Sequence, residues 1–144
     1  MKTETRAAEV RVGPLTRTDF VRYAGAGGDF NPIHHDDGFA ASAGYPSVFG
    51  HGLLTAGILS GFACDWLGRR NLRSYGVRYV AQVWPGDTLI LSGEITGTTE
   101  DGLARAELRV ERESPDGERA VVLRGTATAI VSATVTAVHP EEEK

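Results

Sequence analysis

From residue 51 to residue 67 the chain runs without a proline, and almost everything after it is strand chemistry. No other feature limits the possible folds so tightly. The run allows about 25 Å of helix at ~1.5 Å per residue. Gly68 is the expected C-terminal cap, with Arg69 and Arg70 at the negative end of the helix dipole. Four strand-like segments follow, at residues 72–83, 88–99, 103–113 and 119–135. Short turns containing Gly86, Gly102 and Gly117 separate them, which implies antiparallel hairpins. Weak alternation over residues 9–12 adds one more strand. An antiparallel sheet of about five strands has one face to bury, and only this helix is large enough to cover it. The expected class is α+β, a sheet wrapped on one long helix.

The helix is unusually small-sided. Gly57 and Gly61 stand one turn apart on it. Glycine inside a helix costs about 1 kcal/mol relative to alanine. That cost leads us to expect the sheet to press against this bare stripe.

Upstream, Thr16 or Thr18 can cap a short helix with Asp19 in its first turn. Gly25, Gly27 and Gly28 are expected to break it. Asp36 or Asp37 can cap a second short helix over residues 38–43. Between them lies Gly28-Asp29-Phe30-Asn31-Pro32-Ile33-His34, which sets a carboxylate and an imidazole five residues apart. Pro32 fixes its own φ and pushes Asn31 toward an extended conformation. Such a loop can hold Asp29 and His34 at a set distance without helical geometry. The helix then begins at His51-Gly52. A helix N-terminus offers free N–H groups and about half a positive charge, and Gly52 has no side chain to obstruct them. Asp29 alone reads as a turn residue and His34 alone as a surface histidine. Taken with Asn31, Pro32 and His51-Gly52, they read as a proton-transfer pair beside a carbonyl-binding helix start.

Composition narrows the function. A length of 144 residues fits one domain, expected over residues 1–138, with residues 139–144 an acidic, flexible tail. Net charge is −4 with no lysine- or arginine-rich block, which argues against nucleic acid as a partner. The single cysteine, Cys64, suits a reducing compartment and reads as a small apolar group. The first residues carry no apolar core, so no signal peptide is expected. The apolar run 53–64 stops at Asp65 and is too short to cross a bilayer. A cytoplasmic location is the expectation. His34-His35-Asp36-Asp37 invites a metal reading, but Asp36 and Asp37 serve as caps and no spaced Cys or His set completes a tetrahedral site. No metal is expected. Arg69, Arg70, Arg73 and Arg78 form the local basic cluster, suited either to phosphates or an acidic protein, or to plain solvation. Tyr75, Tyr79 and Trp84 read as strand packing or a subunit interface.

The stretch from Tyr23 to His34, followed by His51-Gly52-Leu53-Leu54-Thr55, resembles the MaoC-like dehydratases. These include the (R)-specific enoyl-CoA hydratases, or hydratase 2, and (3R)-hydroxyacyl-ACP dehydratase subunits of fatty-acid synthesis. The likeness covers roughly residues 15–91. It implies a hot-dog fold and a hydro-lyase in fatty acid metabolism that uses no cofactor. The substrate would be an enoyl thioester of CoA or acyl carrier protein. By resemblance, Asp29 and His34 are the catalytic pair and Asn31 supports their loop. The N–H of Gly52 is the oxyanion donor, and Ser60 lies near the site. His51 is read as shaping the mouth, with no proton transfer. Two features depart from the pattern. Gly27 replaces a common serine or threonine. The chain also carries one hot-dog unit where eukaryotic relatives fuse two, so a homodimer or a heterodimer with another hot-dog subunit is expected. A supporting role in a heteromeric dehydratase and a hot-dog thioesterase are the alternatives. The Asp-x-Asn-Pro-x-His string disfavours the thioesterase.

Overall fold

A computed structural model describes residues 4–131 of the chain. The expected acidic tail at 139–144 and the far end of the last predicted strand lie outside these residues. The elements are β1 (Val10–Val12), α1 (Arg17–Gly27), a 3-10 turn (Pro32–His34), α2 (Asp37–Ser42), α3 (Gly52–Leu67), β2 (Leu72–Tyr79), β3 (Thr88–Thr98), β4 (Ala104–Glu113) and β5 (Arg119–Ala129).

The strands form one antiparallel sheet in the order β1-β3-β4-β5-β2. β3, β4 and β5 are successive hairpins, as their turns imply. The first expected hairpin does not form. β2 crosses the sheet and pairs with β5, with Tyr75 opposite Ala127 and Tyr79 opposite Leu123. It also ends at Tyr79, short of the expected residue 83.

β4 shows how the sheet is sided. Ala104, Ala106, Leu108 and Val110 are buried, while Arg105, Glu107 and Arg109 between them are exposed. The buried face meets Thr55, Ala56, Leu59, Phe62, Ala63 and Leu67, a set that recurs at helical spacing on α3. Leu59, Leu67, Leu89, Leu91 and Leu123 are fully buried where helix and sheet meet. Each such side chain contributes about 1.5–3 kcal/mol by leaving water.

The bare stripe on α3 faces the other way. A Cβ built at Gly57 or Gly61 meets nothing within 4 Å. The close approach comes from strand glycines instead. A Cβ at Gly93 would sit 2.6 Å from the Trp66 ring, and one at Gly125 would sit 3.0 Å from Leu59 Cδ2. Helix and sheet therefore meet tightly because the sheet is thinned, not the helix. Gly93→Ala is expected to destabilise the fold by about 1–3 kcal/mol through overpacking. Gly57→Ala should be neutral or slightly stabilising. Urea melts of both variants check this contrast.

Candidate active site

Thr16 caps α1 in a capping box, with Asp19 bonded back to the Thr16 N–H at 2.7 Å. The helix runs through Gly25 and Gly27, contrary to expectation, because Phe20 and Ala24 anchor it in the core. It stops at Gly28, whose φ of 71° is the left-handed geometry that glycine accepts freely. The chain is thereby turned so that Asp29 begins a new segment.

Two short side-chain bonds shape that segment. Asp29 Oδ1 accepts the Asn31 N–H at 3.2 Å, and Asn31 Oδ1 accepts the Ile33 N–H at 3.1 Å. Asn31 thus caps the 3-10 turn Pro32–His34. The sequence led us to expect no helical geometry here. The turn arises because Pro32 suits a first helical position and Asn31 supplies the cap. One turn swings His34 back over Asp29, leaving Nε2 of the imidazole 3.7 Å from Oδ2 of the carboxylate.

His34 is 8% exposed, whereas the Asp29 side chain is 53% exposed. His34 Nδ1 lies 2.7 Å from the Phe49 carbonyl, so Nδ1 carries the proton and Nε2 presents a lone pair toward Asp29. Burial holds His34 below the ordinary imidazole value. The Phe49 carbonyl and the Asp29 carboxylate act against that shift, and the nearby imidazoles of His51 and His35 act with it. The neutral form is therefore favoured at rest. The unfolded chain binds a proton at about pH 6.5 that the folded chain resists. Stability from this group is complete above that pH and is lost as pH falls toward the depressed folded value. Melting temperature is expected to fall on acidification from pH 7 toward 5.5, and His34→Gln should flatten that fall.

His51 lies against this pair. Its ring stacks on His34, with centroids 3.7 Å apart and 26° between planes. Its Nε2 is 3.0 Å from the Asp29 carbonyl. At 2% exposure it is buried behind the pair and does not line the cavity beside Gly52. Asp29, His34 and His51 each offer a ligand atom within 4.8 Å of the others. The two imidazole planes are 26° apart and so nearly parallel, which suits convergence on a single ion poorly, although His51 Nδ1 has no partner among the described residues.

Gly52 opens α3 directly after His51, and by position its N–H has no partner within the helix. A cavity of about 320 Å³ lies beside it, lined by Phe49, Gly52, Thr55, Tyr79, Val83 and Leu123 among others. Phe49 joins the two halves, since its carbonyl holds His34 and its residue lines the cavity. Tyr79 lies across the helix start, where a Cβ on Gly52 would fall 2.8 Å from its ring. Tyr79 is 52% exposed.

The structure thus brings Asp29, Asn31, His34, His51 and Gly52 together. Ser60 stands apart. It lies eight residues beyond Gly52, about 12 Å along the helix, and its hydroxyl donates to the Gly57 carbonyl at 2.7 Å. Three participants escaped the sequence reading of the site: Phe49, Tyr23 and Tyr79. Phe49 acts through its main chain, which leaves no sequence signal. Tyr23 packs its ring on His51 at 4.9 Å. Its place in the string was the available clue. Of the basic cluster, Arg73 donates to the Arg70 and Leu72 carbonyls and so serves the end of the helix. Tyr75 donates to the Ala56 carbonyl at 2.7 Å, and burial pushes its hydroxyl up to about 12.

The MaoC-like domain family matches residues 2–114. The chain belongs to that family. Among MaoC-like relatives, 3-hydroxyacyl-thioester dehydratase Y of Mycobacterium tuberculosis is 34% identical over 122 residues, covering 82% of this chain and 40% of that protein. The (R)-specific enoyl-CoA hydratase of Aeromonas caviae is 34% identical over 81 residues, covering 55% of this chain and 60% of that protein. The MaoC-like chain therefore spans less than two thirds of either relative. The crystal structure of the ChsH1-ChsH2 complex from Mycobacterium tuberculosis superposes with a TM-score of 0.73 at 24% identity, over 88% of this chain and 94% of that one. The sheet closed around α3 is the hot-dog fold. No helix among the described residues is long and apolar enough to cross a membrane.

Proposed function

We propose that this chain hydrates the trans-2 double bond of an enoyl thioester of CoA or acyl carrier protein, giving the (3R)-hydroxyacyl thioester, or runs the reverse dehydration. The observation that carries this reading is the gap between Asp29 Oδ2 and His34 Nε2. At 3.7 Å it is too long for a direct bond and close enough for one water to lie within hydrogen-bond reach of both groups. Both relatives' names, a hydratase and a dehydratase, fit the same chemistry.

In this mechanism the water donates to both groups and keeps its lone pair free for carbon. Its hydroxyl adds at C3, and the released proton passes through one of the pair to C2. The two groups stand on one side of the substrate, so one water can supply both hydroxyl and proton. Negative charge that gathers on the thioester oxygen meets the N–H of Gly52 at the positive end of α3. Asn31 holds the loop that carries Asp29, and Tyr79 walls the cavity in which the thioester lies.

A second reading concerns assembly. β2 stands at the sheet edge, paired with β5 on one side only among the described residues. Exposed Tyr79 and Val80 lie at its end. These features, with the heteromeric ChsH1-ChsH2 neighbour, support another hot-dog subunit as partner, identical or not.

The test is the loss of enoyl-thioester ultraviolet absorbance on adding protein, across crotonyl, longer and ring-bearing thioesters, with free thiol followed in parallel. Absorbance loss without thiol release supports hydration. Thiol release puts a thioesterase in its place. Folded protein that is silent alone and active only when co-expressed with a neighbouring hot-dog subunit assigns it the supporting role.

A further inference from the structure

His51 contacts both members of the proposed pair while lying out of reach of any substrate. Its Nε2 is 3.0 Å from the Asp29 main-chain carbonyl, which requires the ring proton to sit on Nε2. Its face covers His34, and Tyr23 leans on it at 58° from another direction. It precedes α3 yet makes no side-chain capping bond. Its Nδ1 is buried with no partner among the described residues. A buried lone pair without a donor is unfavourable, so simple packing here would be better served by an apolar ring. The donor on Nε2 and the flat face on His34 are what a histidine adds at this position.

We propose that His51 is a positioning residue that ties the Asp29 backbone to the plane of His34 and so sets the separation and orientation of the two proton-transfer groups. This rests on Asp29 and His34 being the reacting pair. One ring spans both, beside the His34–Phe49 bond that ties the imidazole alone. Asp29 meets His51 through its carbonyl, and His34 meets it through its ring face. Removing His51 frees the Asp29 main chain from this tie and leaves the loop joined to the segment before α3 through the His34–Phe49 bond. The groups that face His34 are the Asp29 carboxylate, the imidazoles of His51 and His35, and the Phe49 carbonyl. Loss of His51 therefore also removes one neighbour that disfavours a proton on His34.

Two substitutions separate the two contacts. His51→Phe keeps a flat ring and loses the donor. His51→Gln keeps an amide donor near the Nε2 position and loses the ring. We expect His51→Phe to lower kcat by about 10–100-fold with KM within about threefold. His51→Gln should recover much of kcat, and the acidic limb of its kcat/KM profile should move to higher pH. Nitrogen NMR of the wild type should show His51 as the Nε2–H tautomer, a readout that does not depend on any variant folding. A folded His51→Phe with wild-type kcat, a rise confined to KM, or an Nδ1–H tautomer each overturns the proposal. Asp29→Asn assayed beside them separates the two levels. Full activity there removes the reacting pair itself, whereas an inactive Asp29→Asn beside a wild-type His51→Phe removes only the role of His51.

Discussion

Asp29→Asn is expected to lower kcat/KM by about 10²–10⁴-fold while leaving the melting temperature within a degree or two of wild type. The two halves of that expectation come from different contacts. The Asp29 side chain is 53% exposed and fills no space in the core. Its structural duty is to accept the Asn31 N–H through Oδ1, and an asparagine carbonyl can do the same. The 3-10 turn and the placement of His34 should survive. What disappears is the negative oxygen facing His34 Nε2. An amide presents neither the charge nor a second acceptor, so the shared water loses one of its holders. Asp29 also raises the proton affinity of His34. The acidic limb of any residual activity should therefore move to lower pH. Steady-state kinetics across pH 5–8 with a thermal melt on the same sample checks both halves. Comparable activity in the two proteins would remove Asp29 from the chemistry.

Much of this arrangement was readable from local pattern. β4 alternates strictly, α3 carries its apolar residues at helical spacing, and the ends fall on residues with a physical reason to be there: Thr16, Asp36 and Gly68. These are short-range effects, settled within a few residues of chain. Apart from the local 3-10 turn at Pro32–His34, the misreadings concern partners outside the local pattern. β2 and β3 are joined by a turn that reads as a hairpin, yet β2 finds its place beside β5, because covering α3 requires the sheet to close from both edges. Gly25 and Gly27 read as breakers, but burial of Phe20 and Ala24 outweighs about 1 kcal/mol per glycine. Gly57 and Gly61 announced a close neighbour, and the close neighbours are at Gly93 and Gly125. A helix glycine can mean an approaching sheet or a side that this chain leaves uncovered, and periodicity does not separate them.

The candidate site divides the same way. The string from Gly28 to His34 shows in sequence which side chains come together, because loop contacts are local. The tautomer of His34 was invisible, since a main-chain carbonyl fifteen positions away decides it. The contact of Tyr79 with Gly52 was equally invisible, as it depends on where a strand from the far edge ends.

The last of these contacts shapes the sharpest test of the helix start. Gly52→Pro removes one N–H at the cost of an added ring. Gly52 is the first residue of α3, where proline is favoured because that N–H has no helical partner. The preceding residue is already compatible, since His51 has φ −60° and ψ 135°, inside the region that proline imposes on its neighbour. The obstacle is steric, because any Cβ here meets the Tyr79 ring at 2.8 Å. Tyr79 is half exposed and can swing aside, but a clean comparison places Gly52→Pro and Gly52→Ala together in a Tyr79→Ala background. Both then carry a Cβ, and only the proline variant lacks the donor, its ring Cδ taking the place of the amide hydrogen. If that N–H meets the developing charge on the thioester oxygen, the proline variant should be slower than the alanine variant by about 10²–10³ in kcat. The two melting curves should nearly coincide. Equal rates would mean that the charge is stabilised elsewhere, and the start of α3 would then be scaffold alone.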